Sequence, residues 1–160
     1  ALAAIYNHYV ATTVTTFELE PVTGETMRSR LETIQAGGYP YLVCEDANAV
    51  VGYAYLARWK ERAAYQRTAE SSVYVAPDLH GAGYGRLLYA ELITRARRAG
   101  IHAILAGITL PNERSVAFHE RFGFAHVGTL SQVGWKHGRW VDVGYWELVL
   151  EATDETGRGR

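Results

Sequence analysis

Apolar residues recur along this chain of 160 residues with two alternating periods, one of about 3.6 residues and one of about 2, and the switches between them predict its elements. Leu2, Ile5, Tyr6 and Tyr9 share one face, so the chain opens on an amphipathic helix. Residues 12–20, rich in Thr, read as a loop or short edge strand ending at Pro21. Thr23 is placed to cap a second helix with Met27, Leu31 and Ile34 on one side, stopped by Gly37 and Gly38. Residues 41–44 and 50–56 form a hairpin about a polar turn at 45–48, and the mixed charged and aromatic residues 58–67 fit no period. Val73, Tyr74 and Val75 form a strand that Pro77 closes. Leu87, Leu88, Leu92 and Ile93 then fall at helical spacing, with Arg95, Arg97 and Arg98 before the stop at Gly100. A buried strand over 101–108, a short helix from Asn112 to Gly123, and strands over 124–130 and 139–150, joined through Lys136, His137 and Gly138, complete the pattern.

Strands that precede, flank and follow helices imply a mixed central sheet with helices on its faces, an α/β (α+β) layered domain. One domain over residues 1–150 with a polar tail at 151–160 is expected. The chain is already helical at its first residues, so a further segment, a strand, is expected upstream of Ala1, and a targeting peptide there is left open.

Composition narrows the function more than the fold. Apolar content of 48% with 21% charged residues and a formal net charge of −1 gives no basic surface for nucleic acid. No apolar run reaches the ~20 residues that cross a bilayer. Cys44, the single cysteine, forms no internal disulfide and reads as a buried thiol. Together these fit the cytoplasm.

Candidate chemistry concentrates at residues 71–89. There a strand runs into Gly81, Gly83 and Gly85 and then into a helix. Alternate glycines let the backbone turn tightly and approach a ligand, and amides at a helix N-terminus hold anions such as a pyrophosphate. No Gly-Lys-Ser/Thr follows, so this is not a Walker loop, and the spacing is not Gly-x-Gly-x-x-Gly, so a dinucleotide fold is poorly supported.

A second stretch, residues 111–124, adds Asn112 and the closing Gly123-Phe124. With the glycine turn, it resembles the GNAT superfamily of N-acetyltransferases, whose signature is a strand, a (Gln/Arg)-x-x-Gly-x-Gly turn, a helix, a strand, then Asn with Tyr seven residues on. Two positions depart from that signature: His80 stands at the Gln/Arg position and His119 at the Tyr position. Trp59 to Tyr65, Thr68 to Ser71, Leu110 to Asn112, and Lys136-His137-Gly138 with Trp140 and Asp142 look like the phosphinothricin and methionine sulfoximine N-acetyltransferases.

The resemblance implies the GNAT fold, with splayed central strands that bind acetyl-CoA, and transfer of the acetyl group to a small-molecule amine. Val73, Val75, His80, Gly81, Ala82, Gly83, Tyr84, Gly85, Arg86, Asn112 and Ser115 would then hold the cofactor. An α-amine with a pKa near ~8 is mostly protonated at neutral pH, so a general base is needed. Glu70 is the candidate, directly or through one water; His119 is the alternative acid or base. The Val75 N–H would serve the oxyanion, a contribution of about 3 kcal/mol for such donors. Lys60 and Arg62 could pair with the acceptor's charges, and Phe17, Tyr65, Ser72 and Tyr74 complete its site. A homodimer is expected, with His137 and Trp140 reaching a partner's site. The alternatives are acetylation of a peptide N-terminus, a polyamine or an antibiotic, and a catalytically silent coenzyme A-binding module.

Overall fold

The computed structural model describes residues 1–150; the expected polar tail lies outside them. Four helices and six strands follow in the order α1 (Leu2–Thr12), α2 (Gly24–Ala36), β1 (Tyr41–Asp46), β2 (Ala49–Arg58), β3 (Thr68–Val75), α3 (Tyr84–Arg98), β4 (Ala103–Leu110), α4 (Glu113–Glu120), β5 (Ala125–Lys136) and β6 (Arg139–Val149). The strands form one mixed sheet in the order β1-β2-β3-β4-β6-β5. Among the described residues its only parallel pair is β3 with β4, joined through α3.

Sequence explains most of the boundaries. The Thr23 hydroxyl accepts the Thr26 N–H at 3.0 Å, so the expected cap is made, and the Asn112 side chain caps α4 in the same way, accepting the Ser115 N–H at 3.1 Å. His137 and Gly138 both hold positive φ, 50° and 73°, which a two-residue turn between twisted strands demands. Residues 13–23 contain no strand, which leaves the loop of the two expected forms. The irregular 58–67 segment includes one 3-10 turn, Ala63–Tyr65. Cys44 is only half-buried, on β1 next to the sheet's edge turn, and not the buried thiol expected.

The sheet separates two cores. Leu56, Leu88, Tyr89, Leu92, Ile104 and Phe124 fill the side covered by α3 and α4. Ile5, Tyr6, Tyr9, Val10, Met27 and Tyr53 fill the side covered by α1 and α2. β3 sends alternate side chains to each: Ser71 meets the Tyr89 hydroxyl at 2.7 Å, while Tyr74 packs among Tyr6, Tyr9 and Tyr53.

Candidate active site

The site begins where β3 and β4 part. Their register runs only from Thr68 opposite Ala103 to Glu70 opposite Leu105, although β3 continues to Val75 and β4 to Leu110. Beyond Glu70 each strand has lost a neighbour. The Ala76 N–H donates to Val51 O at 2.8 Å on the β2 side. By the alternation of strand backbone groups, Val75 and Val73 therefore turn their N–H and C=O toward the gap β4 leaves. These are the splayed strands the sequence resemblance implied.

Glu70 sits at the fork, half-buried. A Cβ added to Gly107 would lie 3.2 Å from Glu70 Oε1, so the glycine makes room for the carboxylate; Tyr145 lines the same spot. Burial raises the carboxyl above its ordinary range. A carboxylate with a raised pKa that faces an open gap is suited to accept a proton from an ammonium. Ser72, two residues on, shares a hydrogen bond with Tyr55.

Past Val75 the chain makes a 3-10 turn, Pro77–Leu79, and reaches the glycines. Gly81 and Gly83 adopt φ of 88° and 95°, the left-handed region a side chain resists. A Cβ at either would meet nothing within 4 Å, so the space in front of the turn is open. The Leu87 N–H is the first of the α3 amides to reach a carbonyl, that of Gly83 at 3.0 Å. The N–H groups of Tyr84, Gly85 and Arg86 stay open at the helix mouth. The amide of Ala82 is instead used inside the turn, donating to Leu79 O at 3.3 Å. Open amides, the helix dipole and free space together fit a pyrophosphate.

His80 has a partner that sequence reasoning missed. The Tyr9 hydroxyl donates to Val75 O, so its oxygen must accept from His80 Nε2, 2.6 Å away. Burial and nearby Arg114 hold the His80 pKa below its ordinary value. Thus α1, the end of β3 and the head of the glycine turn are tied at one point. The helical face shared by Tyr9 was visible; its reach across the sheet end was not.

His119 lies elsewhere than among the open groups. It is 6% exposed, ringed by Tyr89, Phe118 and Phe124 on the α3/α4 side, whereas Glu70 points to the opposite face. Its Nδ1 is 2.8 Å from Ser115 O, so Nδ1 carries the proton. Burial lowers its pKa, so the ring is neutral at neutral pH with a bare Nε2.

The acceptor candidates form two groups. Lys60 Nζ stands 5.5 Å from the Trp59 ring centroid and 5.7 Å from that of Tyr65. Trp59 in turn meets Tyr145 at 5.4 Å, which brings this loop to the Glu70 neighbourhood. Arg58 staples the loop, donating to Lys60 O at 3.0 Å and to Glu61 O. Arg62 is exposed at the start of the 3-10 turn, and Tyr74 belongs to the aromatic core. Phe17 lies against the hairpin of β5 and β6: a Cβ on Gly134 would fall 2.1 Å from its ring. Lys136, 2% exposed, donates to Thr16 O at 2.8 Å beside it.

Comparison with known proteins agrees with this geometry. Residues 1–144 match the model of the acetyltransferase (GNAT) domain. The chain is 43% identical to a phosphinothricin N-acetyltransferase of Streptomyces coelicolor, covering 93% of this chain and 89% of that one. It is 38% identical to an L-methionine sulfoximine/L-methionine sulfone acetyltransferase of Salmonella typhimurium, covering 94% and 88%. A Sinorhizobium meliloti phosphinothricin acetyltransferase solved with acetyl-CoA superposes with a TM-score of 0.89 at 34% identity, covering 100% and 90%. A ribosomal-protein-alanine N-acetyltransferase structure from Brucella melitensis gives 0.90 at 40%, covering 92% and 91%. Forked strands, glycine turn and capped α4 are thus the parts of a known architecture, and the chain belongs to the GNAT acetyltransferase family.

Proposed function

We propose that this protein acetylates the α-amine of a small amino acid such as phosphinothricin, methionine sulfoximine or methionine sulfone, with acetyl-CoA as donor. The observation that carries the reading is Glu70, a carboxylate with a raised pKa at the point where β3 and β4 part. Acetyl-CoA supplies an activated acetyl thioester. The open amides of Gly81, Gly83, Tyr84, Gly85 and Arg86 hold its pyrophosphate, with His80 kept in place by Tyr9. The edge of β3 at Val73 and Val75, which β4 does not pair, receives the pantetheine arm, and Asn112 and Ser115 border it from α4.

Glu70 removes the proton from the acceptor ammonium, which frees the lone pair for attack on the thioester carbonyl; collapse of the tetrahedral intermediate breaks the C–S bond, and coenzyme A leaves as a thiolate that takes up through solvent the proton the amine has lost. The Val75 N–H, turned into the gap, donates to the oxygen on which negative charge develops. Of the two acid–base candidates, only Glu70 takes part in proton transfer. Neutral His119 has no proton on Nε2 to give, and as a base it is buried among aromatic rings on the opposite face of the sheet from Glu70; it serves to seat α4 against Tyr89. Arg62 and Lys60 pair with the carboxylate of the acceptor, and Phe17 and Tyr65 wall it.

The protein works in the cytoplasm as a homodimer. Leu130, Val133, Trp135 and Trp140 are exposed on the hairpin at the sheet's edge, with Trp140 57% accessible, and such an apolar strip favours a second copy. Among the described residues no helix is long and apolar enough to cross a membrane.

A thiol-release assay with acetyl-CoA against these amino acids, common amines and a peptide beginning with alanine tests the reading. Preference for the free amino acids is expected. Likeness to the Brucella protein favours the peptide as a second reading, and turnover confined to the peptide would replace the first with it.

A further inference from the structure

On the face that carries Glu70, a cavity of about 300 Å³ opens between α2 and the strands β1 and β2. Tyr6, Arg30, Tyr41, Tyr53, Tyr55 and Ala57 are among its walls. Tyr41, Tyr53 and Tyr55 stack with nearly parallel rings, 5.2 to 6.3 Å between centroids. Among the described residues, the hydroxyls of Tyr41 and Tyr53 are the side-chain polar atoms that are buried without a hydrogen-bond partner. Tyr53 itself is 1% exposed. A buried hydroxyl left unpaired destabilises the fold, and two on adjacent strands beside one cavity call for an acceptor.

The cavity also lies in the right place for one. Ala57 is the register partner of Glu70, and Tyr55 that of Ser72. Neighbouring strands stand about 4.8 Å apart, so an amino acid with its nitrogen at Glu70 passes its side chain over the small Ala57 toward the tyrosines. Arg30, held by Glu18 at 2.5 Å and lying over the Tyr6 ring, places a cation at the rim.

We infer that this cavity receives the side chain of the acceptor amino acid, and that Tyr41 and Tyr53 donate their hydroxyl protons to oxygens at its end, as on a sulfone, sulfoximine or phosphinate. The inference rests on the acetyl-transfer reading above and adds the basis of its selectivity. Burial raises both phenols, so they remain protonated donors across the working pH range. An acceptor of the same length without those oxygens, methionine, gains nothing from them.

The test compares kcat/KM for methionine sulfone with that for methionine in the wild type, Tyr53→Phe and Tyr41→Phe. Each substitution is expected to lower the sulfone-to-methionine ratio about tenfold, the scale of one lost hydrogen bond. An unchanged ratio would overturn the inference, most plainly if the variants also melt higher, the sign of an unpaired hydroxyl removed. Ala57→Leu, which narrows the passage from Glu70, should raise KM for these acceptors while leaving the affinity for acetyl-CoA unchanged; an unmoved acceptor KM also counts against it. A wild type that releases no coenzyme A with any amino acid would bring down the acetyl-transfer reading instead. The cavity is then judged by thermal shift with methionine sulfone alone: stabilisation of wild type but not of Tyr53→Phe supports it, and equal or absent shifts overturn it.

Discussion

Glu70 shows how one residue acquires its chemistry from its surroundings. Its carboxyl is raised by burial, while Gly107 leaves it the space and the parting of the strands leaves it the exit. Glu70→Gln keeps the shape and removes the base, so kcat should fall by about 10²- to 10⁴-fold with acetyl-CoA affinity preserved; calorimetry beside steady-state kinetics checks both halves. The wild-type kcat/KM for the acceptor should climb with pH through the raised Glu70 value, and this limb should be missing in the variant. Stability runs the opposite way. A carboxyl whose folded pKa is raised favours folding below the ordinary carboxylate range, and that contribution is lost as pH rises through the folded value. Glu70→Gln should therefore melt above the wild type at pH 8 and level with it near pH 3. His119 was legible as a position but not as a role, because its four aromatic and carbonyl neighbours come from α3, α4 and the residue just before β5.

Among elements, the glycine turn and the capped helices were readable because their signals are local. A left-handed φ and a cap each need only a few consecutive residues. Gly83, with φ of 95°, makes the point testable. Gly83→Ala meets no steric neighbour but must hold a conformation that costs about 1–2 kcal/mol for a side chain. Roughly tenfold weaker acetyl-CoA binding by titration is expected. The hairpin of β5 and β6 was the opposite case. Sequence placed the end of its first strand near residue 130, whereas β5 runs to Lys136 through register shifts and a positive φ at Gln132 that hide the alternation. Its tip reaches back across more than a hundred residues to hold the 13–23 loop through Lys136 with Thr16 O, His137 with Thr13 O, and Gly134 under Phe17. Lys136→Met should loosen that loop, raising KM for the acceptor about tenfold while sparing acetyl-CoA binding, and Lys136→Arg should restore most of the loss.

At the scale of the molecule, the sheet separates a core under α3 and α4 from one under α1 and α2; in the proposed function the first would border the donor and the second the acceptor. The exposed apolar strip on the outer hairpin predicts association, and Trp140→Glu should shift the species seen by sedimentation from dimer to monomer. Fold class was legible because the alternation of periods fixes which elements exist. The fork was legible only through the family resemblance, since the parting of β3 from β4 depends on partners far apart in the chain and on no local pattern. A strand with bare amides in mid-sheet leaves the architecture one rung short, and the donor's own amide-bearing arm has the shape to fill it. The coenzyme would then act as a structural member as well as a reactant. At a concentration of a hundred times its dissociation constant it would add about 2.7 kcal/mol to folding, raising the melting temperature by roughly 5–10 °C.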